Sequence, residues 1–176
     1  MTKLRLTRTA RGAVIAVTLA LVVAAPAAAS RPTRTVIDLG PLTRQALAGT
    51  FCDFDVTLSR PASWLSVMDF SDGREALVGH AIPRTVTNDA TGATFVASTS
   101  AHEVDRFDST LVRGEVTGQF IYEFLPGDVG PGGVVVDHLL ELFIQGKATY
   151  VYDSNTNATV QFTLEGTATD ICAAIS

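Results

Sequence analysis

The sequence predicts an all-β fold, either a single antiparallel β-barrel of about eight strands or a β-sandwich. Three stretches alternate apolar and polar residues with a period of two, which is typical of strands that have one buried and one solvated face. They are residues 52–59, 112–124 and 160–169. Turn-forming Asn, Asp and Gly residues lie between apolar stretches, at 71–73, 88–92 and 153–157. No stretch has a convincing amphipathic helical pattern, and residues 134–144 fit a strand or a helix equally.

Residues 1–29 have the pattern of a secretory signal peptide. Four basic residues and no acid accompany an apolar run at 13–25, which is too short to span a bilayer. A proline and three alanines follow, and we expect cleavage between Ala29 and Ser30. The sequence therefore predicts a secreted, extracellular protein with no membrane attachment after cleavage. The alternative is a retained membrane anchor.

Cleavage changes the charge balance of the protein. The whole chain has 13 basic and 18 acidic residues and a formal net charge of −5. Four of the basic residues precede the cleavage site, so the mature chain keeps nine basic residues against 18 acids, a net charge of −9. A domain this acidic repels phosphate backbones and anionic membrane surfaces, so we expect neither nucleic acid nor membrane as a partner.

The mature chain divides into a predicted linker at residues 30–50 and an all-β domain at residues 51–176. The linker segment mixes proline, threonine and arginine with few apolar residues and shows no alternation. The alternating pattern begins immediately after it, at Phe51 and Cys52. We therefore place the first strand of the domain at this point.

The two cysteines, Cys52 and Cys172, are predicted to form a structural disulfide. A bond between them would tie the first strand of the domain to the last. Export would place both cysteines in a compartment where disulfides persist. Neither cysteine has a CxxC partner or a neighbouring histidine, which metal-binding or redox-active thiols commonly have. A reactive thiol or a metal ligand is the alternative interpretation.

The sequence contains no motif that predicts catalysis, a metal or a cofactor. The three histidines, His80, His102 and His138, lack the spacing of a zinc site. Residues 153–157 match only the first five positions of a calcium-binding loop, and no serine-hydrolase elbow is present. We therefore assign no catalytic residue, no metal ligand and no cofactor.

Aromatic residues in the predicted strands give the one indication of a binding site. Several of them share the face that we expect to be buried, and the interior of an eight-stranded barrel is either packed or able to hold one small ligand. The candidate ligand-lining residues are Trp64, His80, Phe120, Tyr122 and Phe124. The alternative is that these side chains simply fill the core.

Several segments resemble the small, uncharacterised secreted proteins that are common in actinobacteria. They are the N-terminal pattern, FCDF at 51–54, NDATG at 88–92, FLPGD at 124–128 with its glycine-rich continuation, and TDICAA at 169–174. The resemblance covers most of the mature chain. It implies a secreted, barrel-like all-β domain with its two cysteines paired, and it implies no activity, ligand or catalytic residue. The stretch 137–141 is more charged than the resemblance leads us to expect.

These observations favour a secreted, non-enzymatic protein that binds a small apolar ligand or a protein partner. A cavity above about 300 Å³ inside the sheet would support the ligand. The alternative is a barrel enzyme, a cyclase, isomerase or hydrolase that uses histidine and carboxylate side chains. It requires at least two of five candidate residues to meet in one cleft, namely His80, Glu123, Asp128, His138 and Asp170. A purely structural envelope protein is a third possibility.

Overall fold

The computed structural model describes residues 31–79 and 82–176, which form antiparallel strands and two short helical segments. The strands are β1 (Thr33–Leu39), β2 (Leu42–Ala46), β3 (Val56–Arg60), β4 (Ser63–Asp69), β5 (Arg74–Gly79), β6 (Ile82–Asn88), β7 (Thr94–Asp108), β8 (Leu111–Phe124), β9 (Leu140–Asp153) and β10 (Ala158–Asp170). A 3-10 turn spans Pro131–Gly133, and the helix α1 spans Ile171–Ala174. The predicted signal peptide with its cleavage site at Ala29 and Ser30, and the candidate residue His80, lie outside the described residues.

All strand pairings are antiparallel: the first six strands form two rows of three strands each, and the last four form a meander. In one row β4 pairs with β1 on one side and with β5 on the other. In the other row β3 pairs with β2 on one side and with β6 on the other. β5 and β6 then pair with successive parts of the long strand β7. From β7 the meander continues through β8, β9 and β10 by antiparallel pairing.

A row of three glycines bends the long strands β8, β9 and β10. Gly118 pairs with Gly146, which also pairs with Gly166, and their φ angles are 125°, 142° and 146°. A Cβ atom at any of them would lie 2.3 Å from a backbone oxygen of a neighbouring strand. Only glycine tolerates this combination of backbone angle and close approach. We refer to this row as the glycine crease.

Below the crease the sheet separates into two leaves that face each other. β7 pairs with β8 only from Ser100 onward, whereas residues 94–99 of β7 pair with β6. The first leaf is therefore β2, β3, β6 and the start of β7. The second leaf is the end of β8, the start of β9 and the end of β10. The rings of Phe95 in the first leaf and Phe143 in the second meet edge to face, with centroids 5.7 Å apart.

Two apolar cores hold this arrangement together. The core between the leaves contains Val56, Val86 and Phe143, and Ile171 and Ile175 at the C-terminus pack into it. The other core lies across the glycine crease on the opposite face of β8 to β10. Its members include Val116, Phe120, Phe124, Leu142, Ile144, Ala148 and Phe162. The second leaf is consequently buried on both of its faces.

The predicted disulfide between Cys52 and Cys172 is confirmed, with the two Cα atoms 5.5 Å apart and a sequence separation of 120 residues. It differs in detail from the expectation, because neither cysteine lies in a strand. Cys52 lies in the bend between β2 and β3, and Cys172 lies in α1. The disulfide therefore fastens the C-terminal helix over the core between the leaves.

The all-β antiparallel prediction is confirmed, but the closed barrel is not. Among the described strands, β10 pairs only with β9, β1 only with β4 and β2 only with β3, so the sheet keeps open edges. The strands number ten instead of about eight. The segment at 30–50 that we interpreted as a linker holds β1 and β2. These edge strands are exposed along most of their length, so their sequences lack the apolar alternation that marks a buried face.

The ambiguous stretch at 134–144 ends in a strand. Residues 140–144 begin β9, whereas residues 134–139 belong to the loop that precedes it. Glu141, Leu142, Phe143 and Ile144 are all buried, because the second leaf lies between two cores. A strand that is buried on both faces has no polar alternation, which is why the sequence pattern did not identify it.

Candidate functional site

A cleft of about 370 Å³ opens between the two leaves. Its apolar wall includes Leu58 and Val86 from the first leaf and Ile121 from the second, and Phe51 and Leu139 lie at its ends. All five of these side chains also belong to, or pack against, the core between the leaves. The cleft is therefore an opening in that core, and its volume falls within the range of small-molecule sites.

Three arginines line this cleft, at positions where an alternating strand would be expected to carry apolar residues. Arg44 in β2 is in phase with the buried Ala46, Arg60 in β3 follows Leu58 by two residues, and Arg84 in β6 precedes Val86 by two. Residues two apart on a strand share a face. The arginines are therefore directed to the inner side of the first leaf.

Glu123 and Glu141 line the opposite wall and lie directly across from each other on β8 and β9. Glu141 is buried, with only 7% of its surface exposed. Burial, and after it the adjacent Glu123 carboxyl group, raise the pKa of Glu141 to about 8 against the opposing charges of Arg84 and Arg44. Glu141 is therefore mostly protonated at neutral pH and able to donate a hydrogen bond.

The cleft carries a positive local charge in an acidic domain. Arg60 is held by hydrogen bonds from its Nη1 to the Leu39 carbonyl oxygen, at 2.9 Å, and to Ser63 Oγ, at 3.2 Å. Arg44 and Arg84 form no direct ion pair with any described carboxylate. Three guanidinium groups therefore line a cleft whose opposite wall holds two neighbouring carboxyl groups, and Glu141 keeps its proton.

A second polar cluster lies above the crease, where the Tyr150 hydroxyl lies 2.5 Å from Glu103 Oε1 and 2.7 Å from Asp105 Oδ1. Burial raises the pKa of both carboxyl groups. Burial, together with the two carboxyl groups, also raises the pKa of the Tyr150 hydroxyl far above its ordinary value. The Tyr150 hydroxyl has one proton, which it can donate to either carboxyl group. The ring of Tyr150 covers Gly114, and both residues line a depression of about 490 Å³ on this part of the sheet.

A smaller cleft of about 270 Å³ adjoins the disulfide and brings His138 and Asp170 together. The His138 side chain is 71% exposed and its Nδ1 lies 2.6 Å from Asp137 Oδ1. This hydrogen bond raises the pKa of the His138 imidazole. Asp170 caps α1, since its Oδ1 accepts a hydrogen bond from the Ala173 backbone N–H at 3.0 Å. Both side chains thus interact with their own neighbours in the chain.

The remaining enzyme candidates are dispersed. Glu123 lines the main cleft, whereas Asp128 is buried in the loop after β8. Asp128 accepts hydrogen bonds from the backbone N–H groups of Leu125, at 2.8 Å, and Thr159, at 2.7 Å. It therefore anchors the loop to β10. His80 lies outside the range that the structure describes.

The aromatic residues that we expected around a ligand do not line the main cleft. Phe120, Tyr122 and Phe124 pack in the core at the crease, where the ring centroid of Tyr122 is 4.7 Å from that of Phe124. Phe120 also borders a small cavity of about 230 Å³. Trp64 is 40% exposed on β4 and lines a depression of about 590 Å³ near the open edge of the sheet. Phe120, Tyr122 and Phe124 therefore pack in a core, which is the alternative to a ligand-lining role.

Sequence reasoning missed the arginines and Glu141, although a signal was present. Arg84 continues the phase of Ile82 and Val86, and Glu141 interrupts an apolar run. A charged residue in phase with buried neighbours is costly unless it has a partner or a function. A search for charged residues in phase with apolar neighbours could therefore have selected Arg84 and Glu141.

Among the described residues, no helix is long and apolar enough to cross a membrane. Comparisons with protein-family models, with curated proteins and with solved structures found no match to this chain.

Proposed function

We propose that this protein is a secreted, non-enzymatic binding protein that holds a small apolar molecule in the cleft between the two leaves. The observation that carries the proposal is the cleft itself, which combines an apolar wall with a few converging polar groups. This combination is typical of small-molecule sites. Its volume of about 370 Å³ exceeds what packing defects leave in a core.

Secretion is supported by the N-terminal pattern and by the disulfide, because disulfides persist mainly in oxidising compartments. The resemblance to small secreted actinobacterial proteins leads to the same proposal. Expression of the full chain in an actinobacterial host tests it. We expect mature protein in the medium with Ser30 at its N-terminus, and accumulation of the uncleaved chain in the membrane would contradict secretion.

A neutral apolar fluorophore, N-phenylnaphthylamine, tests the binding proposal. We expect it to bind the wild type with a fluorescence increase, and Leu42→Asp to weaken binding at least about fivefold, because it places a charge at the cleft. Val96→Asp is the matched control, since Val96 is 63% exposed and outside the cleft, whereas Leu42 is 41% exposed. Equal binding by all three proteins, or binding by none, would contradict the proposal.

A bound natural ligand can be sought directly. Native mass spectrometry of the protein purified from its own culture medium should show a reproducible mass above that of the disulfide-bonded chain. Leu42→Asp should lose this excess and Val96→Asp should keep it. An excess that both variants keep would place the adduct outside the cleft.

An acid–base enzyme is the second candidate, and the Glu123–Glu141 pair favours it. A carboxyl group whose pKa is raised by burial and by a neighbouring carboxyl group, as for Glu141, is typical of acid–base sites. Incubation of the recovered ligand with wild-type protein and with Glu141→Gln distinguishes the candidates. A binding protein returns the ligand unchanged in both cases, whereas an enzyme converts it only when Glu141 is present.

A further inference from the structure

We infer that the molecule bound in this cleft is an anionic amphiphile, an apolar body with one negatively charged head group that lies between Arg44 and Arg84. This inference rests on the proposed binding function and adds the chemical class of the ligand. It follows from the distribution of charge in the described part of the chain and from the apolar character of the cleft wall.

The distribution of the basic residues is the first argument. Only nine basic residues follow residue 29, and three of them line this one cleft. They lie on three different strands, so no single strand pattern explains the concentration. The side chains of a domain with twice as many acids as bases would be expected to supply carboxylate partners for all of them. Arg44 and Arg84 nevertheless form no direct ion pair with a described carboxylate.

The opposite wall offers one protonated carboxyl group in place of a second negative charge. Glu141 faces the cleft with Glu123 beside it, and both Arg44 and Arg84 are near enough to act on its charge. A protonated carboxyl group donates a hydrogen bond to an anionic oxygen, and a guanidinium group donates two in parallel. A carboxylate head group therefore finds donors on both walls of the cleft.

The apolar wall excludes a small inorganic anion as the best occupant. Leu58, Val86 and Ile121 provide no hydrogen bonds from their side chains, so an ion without an apolar body would leave this surface exposed to water. A fatty acid or an aromatic acid fits both the apolar wall and the hydrogen-bond donors of the cleft. A cationic amphiphile would meet the arginines and is disfavoured.

Displacement of N-phenylnaphthylamine by decanoate and by decanol, below their aggregation concentrations, tests this inference. The two competitors share an apolar chain and differ in head-group charge. We expect decanoate to displace the fluorophore at a concentration at least about tenfold lower than decanol does. Decyltrimethylammonium should be the weakest of the three. Equal displacement by decanoate and decanol would overturn the anionic class while leaving the binding function intact. A wild type that binds no fluorophore would contradict the binding function itself.

Two double variants with the same charge change complete the test. Arg44→Gln with Arg84→Gln should reduce the preference for decanoate over decanol by at least about tenfold. Arg106→Gln with Arg113→Gln removes two charges from residues that pair across β7 and β8, away from the cleft, and should keep the preference. Loss of the preference in both variants would mean that overall charge, and not this site, selects the anion.

Discussion

Glu141 lies opposite Glu123 on the neighbouring strand, an arrangement of like charges that costs stability when both are ionised. The protein avoids this cost by keeping a proton on the buried member of the pair. The raised pKa of Glu141 therefore makes the folded state bind more protons than the unfolded chain between pH values of about 4.5 and about 8. Stability should fall as the pH rises through this window, because the unfolded chain ionises first.

Glu141→Gln should remove most of this pH dependence, because glutamine keeps the hydrogen-bonding shape of the protonated acid and does not ionise. The expected stability loss of the wild type between about pH 5 and about pH 9 is on the order of a few kcal/mol. Glu103 and Asp105 contribute in the same direction, so a residual slope remains in the variant. Urea unfolding at several pH values measures the difference. The exposed Glu165→Gln serves as the control, and an unchanged slope in Glu141→Gln would refute the assignment.

The glycine crease shows how single residues shape whole strands. β8, β9 and β10 are each long enough to cross both halves of the molecule, and they bend where Gly118, Gly146 and Gly166 lie side by side. Because of the bend, side chains on one face of these strands pack against each other and form the aromatic core. It also directs the other face of the second leaf toward the first leaf, where the cleft forms.

Gly146→Ala should destabilise the protein by at least about 2 kcal/mol, because the new methyl group would meet the Glu165 backbone oxygen and the φ of 142° is strained for alanine. Gly40→Ala is the matched control. Its Cβ position has no neighbour within 4 Å and its φ is ordinary, so we expect a change within about 1 kcal/mol. Chemical denaturation of both variants makes the comparison. Similar stabilities for the two would show that the crease does not depend on glycine.

At the scale of the whole molecule, the C-terminal segment fills the core between the two leaves. Ile171 and Ile175 pack between the leaves, and the Asn88 side-chain Nδ2 donates a hydrogen bond to the Ile175 carbonyl oxygen at 2.9 Å. The disulfide holds this segment against the bend that contains Phe51, a residue that lines the cleft. The core, the disulfide and the cleft are therefore in contact through this segment.

Replacement of both cysteines by serine should lower the free energy of unfolding by about 2–5 kcal/mol. The reason is that the unfolded chain regains conformational freedom that the disulfide, which joins residues 120 apart, had restricted. Affinity for the neutral fluorophore should also fall, since Phe51 loses its fixed position. Reduction of the wild type is the control and should reproduce both effects. An unchanged unfolding midpoint together with unchanged binding would contradict this role of the disulfide.

Part of this molecule could be predicted from local sequence. The alternation in β8 and β10 and the turn residues between strands depend on neighbours in the chain, and two cysteines allow only one pair within the chain. The edge strands β1 and β2 could not be predicted in this way, because an exposed edge needs no apolar alternation. The start of β9 was ambiguous for the opposite reason, since it is buried on both faces.

The sequence by itself determined the fold class, the disulfide and the acidity of the domain after residue 29. Only the tertiary structure decided where the cleft lies and which side chains meet in it. Arg44, Arg84 and Glu141 come from three strands that are distant in the chain, and nothing in their local sequences states that they share a site. Their meeting depends on strand register and on the way the two leaves pack, and both are set by long-range contacts.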